Sequence, residues 1–491
     1  MRPRWSHVAL FGLIAGFFVA RVPLIPRRRF DPDEFEHAHD AWLMWKGMVP
    51  YKDFFEHHTP WYYYVLRPFY HWIPVDASFE NAHRFLMAAR GLSLVLMAVA
   101  TYLVYRIGRA WKDVRTGLVA ALFFVAQPVV LQKTIEMRPD MHALPFLLAG
   151  LLLLLRELER APDSGAPDLR QFIAAGFAVG AAIMCTQKMM FALPGLLTGL
   201  GIWVLRGGRA GMLRRTSAIV VFVAGIAIPA ALTWVAFAVR HAGHEFIFNN
   251  FVVNAHWKHF ETHMWDEVYD TSKPLLFVAL AGPLLSLFAI LRMRERRDGD
   301  VLLLCTGLGV FAGLRIIPVA QRQYYLMLFP IVCLWAAQAL LWGVETLPGR
   351  LGRLRSVLFG LALFGLLWKP VRGVNDEAHR RNSEQLAKLR TVFERTQPTD
   401  IVMDGWEGMG VFRPHAFYYF FLHEEVRAVL PSRPVDALLV ELESGHVRPK
   451  VIAMDQNLRA LGPRFVSFVE THYTSSDGFL YFTNGQAGPS P

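Results

Sequence analysis

The chain has 491 residues, 54% of them hydrophobic and only 19% charged, with a formal charge of +11 at pH 7. A soluble protein of this length carries about 25% charged residues, so a water-soluble globular chain is excluded. The basic excess sits in short connections between apolar runs, which excludes a nucleic-acid-binding face and reads instead as membrane topology.

Apolar runs of roughly 17–25 residues, the length that crosses a bilayer as helix, recur through three quarters of the chain. They fall near 7–25, 85–105, 116–133, 141–155, 171–186, 189–205, 217–239, 274–291, 301–314, 324–342 and 356–370. The pattern predicts a polytopic α-helical membrane protein of about eleven transmembrane helices over 1–370. A C-terminal extracytoplasmic α/β domain follows over 371–483, and a Gly/Pro/Ser tail over 484–491 is expected to be disordered. Cationic clusters at Arg106–Arg115, Arg156–Arg170, Arg206–Arg215, Arg292–Arg297 and Arg350–Arg355 alternate with connections holding only Lys133, Arg138, Lys188, Arg315 and Arg322. By the positive-inside rule the N-terminus is cytoplasmic and the C-terminal domain lies outside. The first run lacks a small-residue cleavage site and reads as an uncleaved anchor.

Directly after that run come Arg27-Arg28-Arg29 and Asp31-Pro32-Asp33-Glu34. The arginines suit interfacial snorkelling or the grip of a lipid phosphate or pyrophosphate. Carboxylates at the exit of a membrane span are costly and imply a function. Group transfer to a hydroxyl or amine needs a carboxylate that takes the proton, and Asp33 and Glu34 are the catalytic candidates. The alternative is an acidic cap on a helix beginning near Phe35.

The outer loop 26–84 is too long to be a turn. Within it Phe35, Ala38, Trp42 and Trp45 recur at helical spacing, with His37, His39 and Asp40 on other faces, which predicts a helix lying in the interface plane. Trp61–Trp72 is a second aromatic piece that Pro60 opens at its first helical position. Glu56-His57-His58, with His256 and His259 of the second outer loop (240–273), form a candidate metal set. Zinc accepts such nitrogen and oxygen ligands, while magnesium or manganese prefers the carboxylates; solvated interfacial histidines are the alternative. Arg138, Lys188 and Arg322 are isolated cations at outer helix ends, suited either to a phosphate or to headgroup anchoring. Asp140 and Tyr325 stand at the same junctions. In the C-terminal part, Ser383–Arg395 has helical spacing, while 400–403, 450–454, 464–469 and 478–482 read as short strands.

Taken in order, Asp33-Glu34 after the first span, the run Gly47–Pro60 with Tyr51, Asp53 and Glu56, Arg138-Pro139-Asp140, Lys188, and Arg322–Pro330 resemble the bacterial membrane glycosyltransferases of the GT-C superfamily. The branch is that of the protein O-mannosyltransferases and the lipid A aminoarabinose transferase, and the resemblance covers about 1–370. At 57–58 the chain has His-His where the aminoarabinose branch commonly has Lys-Pro. The resemblance implies inverting transfer of a hexosyl or pentosyl group from a polyprenyl-phosphate donor to a lipid, glycan or protein acceptor on the outer face of a bacterial inner membrane, as in cell-envelope and lipopolysaccharide assembly. It also implies Asp33 as catalytic residue, Glu56 with a loop histidine at a metal, and Tyr51, Asp53, Asp140 and Tyr325 toward substrate or acceptor. The alternatives are a polymerase or ligase using a lipid-linked oligosaccharide, and a flippase or transporter. A transporter predicts charges at mid-membrane and paired broken helices, whereas these charges cluster at the outer ends.

Overall fold

The computed structural model describes residues 5–160, 166–256, 264–292, 298–317, 320–348, 352–429 and 432–483. Contacts divide the chain into two compact units. One comprises Met1–Pro26, Gly91–Thr233 and Phe260–His379; the other comprises Arg27–Arg90, Trp234–His259 and Arg380–Pro491. The division interleaves the sequence, so that the first long loop and the first part of the second join the C-terminal segment in the second unit.

The first unit is helical because its apolar runs leave no other way to satisfy the backbone in lipid. Among the described residues of the whole chain, 8 helices are long and apolar enough to cross a membrane. They are His7–Leu24, Phe79–Trp111, Pro139–Leu158, Gln187–Leu205, Gly211–Ala238, Met264–Leu291, Asp298–Ile316 and Leu354–His379. Val114–Ala126, Leu169–Cys185 and Phe329–Glu345 are apolar but shorter. The most apolar stretches of Met264–Leu291 and Leu354–His379 bury only 22% and 11% of their residues, so their hydrocarbon faces outward as a lipid solvent requires. Elsewhere small residues let helices touch: Gly176 lies against Phe222 and Gly225, and Gly195 against Cys305 and Thr306, where any Cβ would collide with backbone. Prolines interrupt several spans (Pro145, Pro229, Pro274, Pro283 and Pro370).

The second unit begins with the helix Pro32–Trp45, whose start is over-determined. Asp31 accepts a hydrogen bond from the Asp33 amide, Glu34 closes a capping box, and Pro32 takes a first-turn position. The expected interfacial helix is therefore present, but it is buried on every side from Glu34 to Met44 rather than lying half in lipid. Its polar residues do not form an outward face; they point into the protein. The helix Trp61–Trp72 follows, with Pro60 as its N-cap rather than its first residue.

The C-terminal segment opens with the expected helix Ser383–Arg395. It then forms a four-stranded sheet of β1 (Val402–Asp404), β2 (Val451–Ala453), β3 (Tyr473–Ser475) and β4 (Leu480–Thr483), in the order β1-β2-β4-β3. β1 and β2 are parallel, with Val402 opposite Val451; β4 is antiparallel to both β2 and β3. The strand expected at 464–469 is instead the helix Pro463–His472. Pro463 starts it, and Phe465 and Val469, one helical turn apart, bury together with Leu438, Leu442 and Ile452. Four residues of apolar run did not distinguish a strand from a buried helix face.

The N-terminal loop and this segment are stitched within the unit. The amide of Arg29 donates to Arg380 O, that of Asn382 to Arg27 O, and Gln385 holds both the amide and the carbonyl of Phe30. Arg28 is thereby buried, while Arg27 and Arg29 stay exposed.

Candidate functional site

In the second unit, Asp33 lies half-buried on the first turn of the Pro32–Trp45 helix. Its neighbour Glu34 is fully buried and engaged on both oxygens. Arg90 grips it bidentately, Nε to Oε2 at 2.7 Å and Nη2 to Oε1 at 2.6 Å, and the Asp31 amide adds a third bond. Arg90 also donates to the carbonyls of Arg28 and Arg29 and lies 3.7 Å from the Phe30 ring centroid. A buried guanidinium in this fork fixes the backbone on either side of Asp33.

One turn further, Glu36, His37 and Asp40 meet Glu56, His57 and His58 from the loop. Three overlapping sets place one ligand atom from each member within 4.8 Å of the others: Glu36, His57 and His58; His37, Glu56 and His58; and Glu36, Asp40 and Glu56. Glu56 is the hub. Its Oε1 accepts the amides of His57 and His58, each at 2.6 Å, and His58 Nδ1 at 2.8 Å; its Oε2 accepts the Tyr63 hydroxyl at 2.6 Å. Burial opposes the charge of Glu56, but bonding from the Asp40 carboxyl and from His58, with the nearby His57, holds it well below the ordinary carboxylate range. Asp40 is pushed well above that range by burial and by the charges of Glu56 and Glu36. The buried pair thus shares one proton, held on Asp40. Since Glu56 is the acceptor, His58 carries its proton on Nδ1 and its lone pair on Nε2, the carboxylate–histidine arrangement that orients metal ligands.

Of the metal candidates read from sequence, Glu56 lies in this cluster. His256 is exposed and its Nδ1 bonds Val252 O, and His259 lies outside the described residues. Asn254, two residues before His256, donates to His57 O at 2.8 Å, so the second loop does reach the histidine pair by its backbone course. His57 and His58, read with Glu56 from the sequence, lie in the cluster too, and Glu36, His37, Asp40 and Tyr63 are the members missed from sequence. The spacing of Glu36 and Asp40, one helical turn apart, was the available signal. Their convergence with a loop some twenty positions away had none.

Tyr51 holds a left-handed backbone, φ 70°, unusual for an aromatic residue. Its hydroxyl donates to His58 O at 2.6 Å, its carbonyl accepts the Tyr418 hydroxyl, and its ring packs on Phe237 and Phe246. Asp53 is exposed and caps the Val49 amide at 2.7 Å. Both shape the turn that presents 56–58.

The first unit has a separate set. Lys133, Arg138 and Lys188 are buried cations, set against two buried carboxylates, Glu136 and Asp140. Glu136 bridges Lys133, at 2.9 Å, and Arg138, while Lys188 stands 3.6 Å from Asp140 and 3.9 Å from the Tyr324 ring centroid. Arg322 pairs with Glu267 and reaches Gln132. Tyr325 packs its ring against Trp265, centroids 5.7 Å apart. Gln132 also donates to the buried Glu377, so the cations at these helix ends stand among three buried acids, Glu136, Asp140 and Glu377.

These features define a multi-pass helical protein, and solved structures of the same fold are known. Over nearly its whole length the chain is similar to ArnT from Cupriavidus metallidurans bound to undecaprenyl phosphate, at 16% identity, a TM-score of 0.62 and 99% coverage of each chain. It is also similar to the archaeal oligosaccharyltransferase AglB from Archaeoglobus fulgidus in complex with an inhibitory peptide and a dolichol-phosphate, at 12% identity and TM-score 0.60, covering 99% of this chain and 75% of that one. The Archaeoglobus fulgidus oligosaccharyltransferase complex with zinc and sulfate matches at 13% identity and TM-score 0.54, covering 96% and 72%. Residues 68–236 match the family model of dolichyl-phosphate-mannose-protein mannosyltransferase. Sequence comparison with curated proteins finds no match.

Proposed function

We propose that the chain is an inverting membrane glycosyltransferase that moves a sugar from a polyprenyl-phosphate donor to a lipid, glycan or protein acceptor at the outer face of a bacterial inner membrane. The observation that carries the reading is the gathering of three buried cations, Lys133, Arg138 and Lys188, at helix ends of a fold shared with a protein that binds undecaprenyl phosphate. The three short apolar helices, added to the 8 long ones, fit about eleven crossings, with the N-terminus cytoplasmic and the sheet-bearing segment outside.

In this reading Lys188 and Arg138 hold the donor phosphate and stabilise it as leaving group, with Arg322 beside them. Glu136 positions Arg138, and Asp140 positions Lys188. Asp33 takes the proton of the acceptor hydroxyl or amine as that atom attacks the anomeric carbon and the sugar–phosphate bond breaks, inverting the centre. Glu34, saturated by Arg90, holds Asp33 in place.

The donor set at 36–58 suits a divalent ion, because imidazole nitrogens and carboxylate oxygens converge within 4.8 Å of one another. Glu36, His57 and His58 would hold the metal, and Glu56 would orient His58. When bound, such an ion supplies positive charge toward an anionic group; zinc, magnesium and manganese are the candidates.

Lipid mass spectrometry of membranes bearing wild-type or Asp33→Asn protein tests the function. A polyprenyl monophosphate sugar should accumulate only with the variant. A pyrophosphate-linked oligosaccharide accumulating instead would replace the reading with a polymerase, ligase or flippase.

A further inference from the structure

The run Arg27-Arg28-Arg29 has no part in the chemistry proposed above. Within the second unit it is paired with another basic run, Arg380-Arg381. The Arg29 amide donates to Arg380 O at 2.7 Å, the Asn382 amide donates to Arg27 O at 2.9 Å, and Arg28 pairs with Arg381 as an antiparallel bridge. The paired segments 27–29 and 380–382 hold five arginines and no acid. Only Arg28 is buried; Arg27, Arg29, Arg380 and Arg381 are exposed. Among the described residues, Arg27, Arg29 and Arg381 form no side-chain ion pair. Two acids lie within electrostatic reach of Arg29: Glu384, which Lys388 engages at 2.8 Å, and the partly buried Glu407.

Chain connection sets the level at which this patch lies. Arg27 follows the span His7–Leu24 by three residues, and Arg380 follows the helix Leu354–His379 directly. Three residues of chain reach at most about 10 Å, so the arginines stand close to the headgroup layer. In the proposed topology both exits are on the outside, where the short connections carry few cations, and five arginines at one point run against the positive-inside bias. Snorkelling asks only that a charged head reach water. It gives no reason for two segments from opposite ends of the chain to be tied together with four guanidinium groups outward. A guanidinium fits two phosphate oxygens at once and is weakly hydrated. A zwitterionic headgroup would bring an ammonium that the neighbouring arginines repel, whereas an anionic headgroup brings the phosphate charge alone.

We propose that this arginine ladder is a docking site for the phosphate of an anionic phospholipid, and that its occupation steadies the turn carrying Asp33. The link is a single side chain. Arg90 Nη1 donates to Arg28 O at 2.9 Å and Nη2 to Arg29 O at 3.3 Å, while the same guanidinium holds Glu34 beside Asp33. Fixing the 27–29 backbone from the lipid side therefore fixes the groups that orient Arg90. The site uses none of the residues assigned to proton transfer, donor phosphate or metal. Only its outer placement rests on the proposed topology; the docking itself stands or falls without the transferase reading.

Native mass spectrometry of the full-length protein in a neutral detergent, titrated with phosphatidylglycerol or phosphatidylcholine, tests the docking. Wild type should hold phosphatidylglycerol at least about 25-fold more tightly than phosphatidylcholine. Arg27→Gln with Arg29→Gln keeps every backbone bond of the ladder and should weaken phosphatidylglycerol binding about 25-fold, at about fivefold per arginine. Arg381→Gln should weaken it about fivefold, and serves should the double variant fail to fold. Arg448→Gln with Lys450→Gln removes the same charge elsewhere in the unit and should change binding less than about twofold. Hydrogen exchange of the amides at 31–36 should slow when phosphatidylglycerol is added to wild type, and not with the double variant. An unfolding midpoint near that of wild type qualifies each variant. Equal affinity for the two lipids, unchanged binding in the folded ladder variants, an equal loss in the Arg448/Lys450 variant, or displacement by an equal concentration of inorganic phosphate overturns the docking site. Unchanged exchange at 31–36 overturns its coupling to the Asp33 turn. The lipid analysis of Asp33→Asn reads the transferase function separately, so either idea can fail while the other stands.

Discussion

The two charged clusters of this protein are built on opposite principles. In the membrane unit, buried carboxylates are spent on orienting cations: Glu136 on Lys133 and Arg138, Asp140 on Lys188. In the second unit, carboxylates and imidazoles are in excess, and buried like charges are relieved by a proton on Asp40 and by four donors around Glu56. The first arrangement fixes cations in place, and the second holds a proton.

That contrast can be broken most severely at Asp33. Asp33→Asn is expected to lower transfer by about 10²–10⁴-fold, the scale of general-base catalysis, with the protein still folded; retained turnover would remove Asp33 from the mechanism. Next in size, Arg90→Leu leaves the Glu34 carboxylate buried and unpaired and should cost about 3–5 kcal/mol of stability, read as a lowered unfolding midpoint, whereas Asp33→Asn should leave that midpoint nearly unchanged. If both variants unfold alike, Glu34 and Asp33 do not divide support from chemistry. On the cationic side, Lys188→Met should raise the donor KM about 10-fold or more, as loss of a charge-assisted contact does, while kcat falls less. The metal cluster is tested by elemental analysis after zinc loading. Glu56→Gln should weaken retention about 10–100-fold by releasing His58, and His256→Ala should leave it intact. The reverse outcome would move the ligand into the second loop.

The smallest expected effect is a pH dependence in the sheet-bearing segment. Asp404 is raised in the folded state from 3.8 to about 7 by burial and by Asp455. The folded state therefore binds the proton more tightly than the unfolded one, so this stability is full below pH 4 and is lost as pH rises through 7. The unfolding midpoint should fall by a few degrees between pH 5 and 8, and Asp404→Asn should flatten that slope.

How much of this was legible in the sequence depends on the range of the interaction. The spans were readable because hydrophobic length is local, and the helix at 383–395 because Leu389, Val392 and Phe393 repeat at helical spacing and bury. Asp33 stands out in the sequence as a carboxylate beside a span, and the structure places it on the first turn of the Pro32–Trp45 helix. The saturation of Glu34 was hidden, because its partner Arg90 lies 56 residues away. Likewise Glu36 and Asp40 reveal nothing until a buried helix and the loop bearing Glu56, His57 and His58 close on one another. The interfacial reading of the Pro32–Trp45 helix failed for the same reason: residues that look polar in sequence were satisfied by partners from distant segments.

The stitching of the first outer loop to the C-terminal segment bears on how the protein is made. Phe30 finds the partner for its amide and carbonyl in Gln385, 355 positions later. At about 5–20 residues per second of synthesis, that loop waits roughly 20–70 s, already threaded past the first helix, before the residues that complete it are made. A premature stop just before 385 thus yields a chain whose membrane helices are present but whose Phe30 backbone groups lack their partner, a product for quality control to remove.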